Sequence, residues 1–293
     1  MKLSNDTEAL VTCYSSDPSF RITDLRLLPM TSWEELDELG SQIVGRHCLA
    51  IPSVRVGMGW VLDHLGCNRH SHNVMVPKFM GRCILNALSR YALPVESLTN
   101  KTSLVVVVHQ YGLLQQLDEI DNECVSKGIP YIEDSPYGLG QVEKLGNNSL
   151  AKFIGLTKIL PVLKGALVIS EDQKLLNYFK EKRVERSWWS WVVLFASIWL
   201  RSKSKVVGYS ALADTVYEMY FNAKGDNAYF RGNISKALNN INAFSRMSGA
   251  RLDVIRNRIG DRVEIPDLRR VPYVVPYIYD HDLELAQIIF GKH

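Results

Sequence analysis

The sequence predicts an α/β fold with a mostly parallel central sheet, followed by a smaller α+β piece. Three observations predict it. Between His47 and Ser170 short apolar runs alternate with helical patterns, the rhythm of a sheet built from strand–helix–strand units. The run "TSLVVVVHQYG" carries four consecutive valines, as expected of a strand covered on both faces. That strand, the amphipathic "LLQQLDEIDNECVSKG" and the strand "IPYIED" make one βαβ unit of suitable length.

The other elements follow in order. "HCLAIPS" reads as a short strand and "VRVGMGWVLDHLG" as a helix stopped by Gly66. "NVMVP" is a strand and "MGRCILNALSRYA" a helix; "AKFIGL" and "GALVIS" are two further strands. Beyond Ser170 the texture changes. "EDQKLLNYFKEKRVERSWWSWVVLFASIWLRSKSK" reads as one long helix, "ISKALNNINAFSRMSGARLDVIRNRIG" as another, and "VPYVVPYIYD" as a strand. The expected division is 1–175 for the large domain with an N-terminal segment 1–33, 176–205 for a helical connection, and 206–293 for a small C-terminal domain.

Composition excludes several classes. A chain of 293 residues with 46% hydrophobic and 22% charged residues is an ordinary globular one. A net charge of +3 gives no electrostatic case for nucleic acid. The five cysteines, Cys13, Cys48, Cys67, Cys83 and Cys124, lack CxxC spacing, which predicts reduced thiols in a cytoplasmic protein and no zinc site. The start has no apolar signal core. The run Ser187–Leu200 holds 14 residues, short of the ~20 that span a bilayer.

The chemistry should lie where strands end, because ligands of open α/β sheets sit outside the carboxyl ends. That rim receives His109 and Tyr111 from the valine strand, and Glu133 and Asp134 from "PYIEDSPYGLG". An aspartate there can bind a metal, act as a base, or pair with a charged ring nitrogen. Metal binding wants converging ligands, and no tight His/Asp cluster accompanies Asp134; His70 and His72 read as a polar loop. The ring-nitrogen option asks for a lysine downstream on a neighbouring element. "FIGLTKILPVLKGALVIS" supplies Lys158.

The ordered set "VVVVHQYG", "YIEDSPYG" and "LTKILPVLKGALVIS" resembles the DegT/DnrJ/StrS family of sugar aminotransferases, which use pyridoxal 5'-phosphate (PLP). Upstream, "GRHCLAIPSVRVGMGWVLDHLG" and "NVMVPKFMGRCILNALSRYALPV" are similar to the family's first two strand–helix pairs; the likeness spans roughly 34–278 and thins beyond Asp172. It implies a three-layer PLP-transferase fold with a small, shortened C-terminal domain, and PLP as cofactor. It also implies transfer of an amino group, from glutamate, to a keto sugar carried on a nucleotide for surface polysaccharide or secondary-metabolite synthesis. The resemblance implies that Lys158 forms the Schiff base and shuttles a proton, and that Asp134 pairs with the pyridine nitrogen. Tyr137 falls near the cofactor's phenolic oxygen. Arg55 and the backbone amide of Val56 fall at the phosphate, on the helix after Ser53.

Two positions depart from the family pattern. Phe153 stands where a phosphate-binding serine is usual, with Lys152 beside it, and Tyr137 replaces Gln or His. They keep a second reading open: a degenerate relative that retains the fold but acts as a binding or partner subunit. His109 is expected to cap a hydrogen-bond network. The segment Trp188–Trp199 suits a core or dimer contact, or else a peripheral membrane contact. The resemblance implies a homodimer.

Overall fold

The computed structural model describes residues 30–185 apart from 79, 111–113, 141, 161 and 163, residues 225–242 apart from 227, and isolated positions between 192 and 219. Its elements are α1 (Trp33–Val44), β1 (Leu49–Ile51), α2 (Val54–His64), β2 (Asn73–Met75), α3 (Arg82–Leu88), β3 (Leu93–Val95), β4 (Thr102–Val108), α4 (Asp118–Lys127), β5 (Tyr131–Ser135), β6 (Ala151–Gly155), β7 (Ala166–Ile169), α5 (Gln173–Lys182), β8 (Val184–Glu185), β9 (Gly225–Asp226) and α6 (Ala228–Asn239).

Seven strands form one sheet in the order β1-β7-β6-β5-β4-β2-β3. The run from β6 to β3 is parallel, and β7 alone runs antiparallel to its neighbours β6 and β1. The expected mostly parallel sheet is therefore the observed one. The valines of β4 face both ways: Val106 packs with one helical layer, and Val105 and Val107 with the other. Edge strand β3 lies outside the sequence-predicted elements. Its Pro94 is tolerated because an edge position needs no N–H for a further ladder.

On one face Leu49, Ile51, Ile132, Ala151, Phe153 and Val168 are covered by Met58, Trp60 and Leu62 of α2 and by Leu175, Leu176 and Phe179 of α5. On the other, Ala50, Ile154, Leu167 and Ile169 meet Trp33 and Leu36 of α1 and Ile234 and Leu238 of α6. The result is a three-layer sandwich with two apolar seams. Helix α2 approaches the sheet closely through Gly57. A Cβ there would stand 2.5 Å from both Ile51 Cδ1 and Phe153 Cε1, so a larger residue would push these side chains aside.

Helix ends follow local chemistry. Ser32 and Glu35 form a reciprocal capping box on α1. Asp172 caps α5 through the amides of Lys174 and Leu175. Helix α5 runs continuously across position 175, the expected domain boundary.

The long helix expected from Glu171 onwards is not observed: α5 stops after Lys182 and the chain turns extended. The cause is Arg183. Its guanidinium gives 2.8 and 2.9 Å hydrogen bonds to both oxygens of Asp37 and reaches the Ala50 carbonyl, and its side chain is 4% exposed. A side chain drawn inwards by a buried carboxylate pulls its backbone off the helical path. Arg183 also stacks on Trp33, whose ring packs against Arg231 of α6 as well. Arg231 donates to the carbonyls of Thr31 and Asp226 and to Glu185. The strand "VPYVVPYIYD", most of Trp188–Trp199 and most of the expected small domain lie outside the described residues. Among the described residues no helix is long and apolar enough to cross a membrane.

Removing one member of a buried ion pair leaves the other charged and unpaired, which costs about 3–5 kcal/mol. Asp37→Ala should therefore lower the unfolding free energy by that amount, read as a lower urea midpoint with an unchanged slope. A loss below about 1 kcal/mol would show the pair to be a surface contact in effect.

Candidate active site

Three parallel strands, β4, β5 and β6, end side by side. In register, Val108 lies beside Asp134, and Asp134 beside Phe153. Strand alternation sends consecutive residues Glu133 and Asp134 to opposite faces. Asp134 shares the α2 face with Phe153; Glu133 shares the other with Lys152 and Val107. The rim is compact at this point. The last residue of β6, Gly155, has Pro136 after β5 and Val54 at the start of α2 within contact of its Cβ direction.

Asp134 is 4% exposed, and its Oδ1 has no hydrogen-bond partner among the described residues. Burial alone pushes its carboxyl up to about 7, because taking a carboxylate out of water disfavours the charged form. A buried, unpartnered carboxylate oxygen at a strand end suits a cationic donor, and none of the described residues bonds to it there.

Glu133 differs in being anchored through one oxygen, although its Oε1, like Asp134 Oδ1, has no hydrogen-bond partner among the described residues. It is wholly buried, and its Oε2 takes bonds from His109 Nε2 at 2.9 Å and the Gly146 amide at 3.0 Å. His109 accepts the Gln115 amide at Nδ1 and gives its own backbone N–H to the Asp134 carbonyl. His109 thus caps a hydrogen-bond network, as its position at a strand end predicts. The part taken by Glu133 was not read from sequence: its partners lie 24 and 13 residues away. Its only local signal was a carboxylate inside an otherwise apolar strand.

Lys158 stands in the turn after β6, three residues beyond Gly155, on the same rim as Asp134; its side chain is exposed. Tyr137 follows β5 directly and is partly buried, as is Arg55, the second residue of α2. The Val56 amide donates to Ser53 Oγ at 3.3 Å. Lys152 is buried on the Glu133 face, away from Asp134, and burial draws its amine below the ordinary lysine range. Tyr111 lies outside the described residues. His72 accepts the Asn68 amide within its own loop, and no metal-binding group of three or more His, Cys, Asp or Glu occurs among the described residues. Cys48, Cys67, Cys83 and Cys124 are free thiols.

A family model described as "Putative PLP-dependent aminotransferase" matches residues 39–284. The chain belongs to this family of PLP-dependent aminotransferases. No curated protein sequence matches it. Among solved structures the fold is similar to the aminotransferase TlmJ from Streptoalloteichus hindustanus (TM-score 0.56, 17% identity, 90% of this chain and 71% of that one). It is also similar to a DegT/DnrJ/EryC1/StrS aminotransferase from Brucella abortus (0.51, 13%, 92% and 73%). A third is DesI, solved in the presence of its TDP-sugar product (0.54, 16%, 82% and 62%). The chain spans less than two thirds of the length of DesI. These likenesses confirm the expected PLP-transferase fold.

The residues present fit the cofactor at its ring-nitrogen end, where the unpartnered Oδ1 of Asp134 awaits a cationic N–H. At the phosphate end the chain offers the positive pole of the 11-residue helix α2; Phe153 of β6, fully buried, offers no polar atom.

In the cofactor-free protein an unfolded Asp134 loses its proton near 3.8, the native one only at about 7. The folded state thus binds more protons in between, and this group's contribution to stability falls as pH rises through that window, by up to about 1.4 kcal/mol per pH unit. Asp134→Asn should therefore raise the melting temperature at pH 8 and leave it nearly unchanged at pH 4. An equal shift at both pH values would contradict the buried, charge-averse environment.

Proposed function

We propose that the chain is an aminotransferase that moves an amino group from an amino acid, with glutamate as the expected donor, to a keto sugar carried on a nucleotide. The observation that carries the reading is Asp134: a buried carboxylate with an open oxygen at the end of an inner strand, on the same rim as Lys158. The TDP-sugar product of DesI supports the substrate class, and the sequence resemblance supports the donor, a role in surface polysaccharide or secondary-metabolite synthesis, and a homodimer. The free thiols and the nucleotide-linked substrate accord with a cytoplasmic home.

Bound PLP supplies an electron sink for the carbanion left when the donor's α-proton departs. Asp134 Oδ1 would hold the proton on the ring nitrogen, and its dry surroundings would strengthen that pair relative to water. Lys158 Nζ would be the residue that holds the cofactor covalently and, when free, the base that would carry the proton. The α2 N-terminus, with Arg55 and the Val56 region, would hold the phosphate, and the Tyr137 hydroxyl would be the donor to the phenolic oxygen.

Phe153 favours a second reading, in which the chain keeps fold and cofactor but serves as a partner subunit. Its ring fills the β6 position facing α2 with hydrocarbon, leaving phosphate binding to the helix alone.

Purified protein should be yellow with PLP, and borohydride reduction followed by peptide mass spectrometry should place the pyridoxyl group on Lys158. Lys158→Ala should lose the colour and slow amino transfer at least ~10²-fold. A pyridoxyl group on another lysine would overturn the assignment. Labelling at Lys158 without turnover of any nucleotide-linked keto sugar would favour the partner-subunit reading.

A further inference from the structure

We infer that His109 is a positioning residue for Asp134, gripping the end of β5 from both its backbone and its side-chain flank. The inference rests on the proposed role of Asp134 at the cofactor nitrogen. The backbone N–H of His109 donates to the Asp134 carbonyl at 2.9 Å, and its Nε2 meets Glu133 Oε2 at 2.9 Å. One residue just past the end of β4 therefore holds two consecutive residues of β5. The Gln115 amide donates to Nδ1 at 3.1 Å, so Nδ1 bears no proton and Nε2 must be the nitrogen that donates. The imidazole is neutral, with its tautomer fixed by a backbone amide.

The grip matters because Asp134 has little else to orient it. Its Oδ1 has no partner among the described residues, so where the carboxylate points depends on where β5 holds its Cα. Glu133 cannot drift without breaking bonds to both His109 and Gly146. Both His109 and Glu133 are at most 1% exposed, so water cannot replace a lost bond, and leaving one unmade costs the full desolvation of its partner. Gln115 brings the connection between β4 and α4 into the same grip. A displacement of about 1 Å in a positioning group can cost ~10²-fold in rate.

The test uses holoenzyme reconstituted with PLP labelled with ¹⁵N in the ring. His109→Phe should move the ring-nitrogen resonance towards its unprotonated position and lower kcat ~10- to 100-fold, with KM for the amino donor little changed. His109→Gln, whose amide can donate to Glu133 and accept from Gln115, should recover both. A His109→Phe enzyme with the wild-type resonance and kcat would overturn the inference. Should neither variant fold, imidazole ¹⁵N spectra of the unaltered protein decide: a protonated Nε2 with a bare Nδ1 supports the grip, and any other state refutes it. That spectrum can be taken without cofactor. A wild-type protein that bound no PLP would sink the functional reading while leaving the grip itself measured.

Discussion

Two carboxylates follow one another at the end of β5, and strand alternation forces them to opposite faces of the sheet. Each keeps one oxygen without a partner among the described residues, but only one of the two is anchored to the chain through its other oxygen. Glu133 receives two hydrogen bonds from the chain and serves the fold. Asp134 keeps an oxygen open. Exchanging the two environments would give a well-built sheet with no charge to offer at its rim.

The price of that open oxygen is borne by the rest of the sandwich. Both helical layers bury large side chains, and the closest approach between helix and sheet, at Gly57 over Phe153 and Ile51, lies on the Asp134 face. A tightly packed flank keeps water from the carboxylate. The phenyl ring that provides this packing lies in register beside Asp134 and offers it no polar atom.

What could be read in the sequence was local. The valine strand, the βαβ unit and the glycine stop at Gly66 are decided by neighbours in the chain, and all are observed. The displacement of Lys152 from the Asp134 face follows from alternation and is likewise observed. What could not be read depends on distant partners. Helical periodicity runs on past Lys182, yet Asp37, 146 residues away, captures Arg183 and ends the helix. Strand β3 is three residues with a proline in the middle, too short and too irregular for periodicity to find. Glu133 carried no sign that its partners were His109 and Gly146. Asp134 was legible as a rim residue from its strand, whereas the role expected of it came from family likeness.

The antiparallel course of β7 has a consequence for Lys158. A parallel successor to β6 would have sent the chain through a crossover to the opposite edge of the layers. Because β7 returns at once beside β6, the whole stretch 156–165 stays at one end of the sheet as a short tether. Leu156, Ile159, Leu160 and Val162 of that stretch are buried in the same apolar cluster as Leu167 and Ile234, so the turn that carries the amine is packed into the second seam. Repacking that seam would therefore shift Lys158 relative to Asp134 even though neither residue is itself altered.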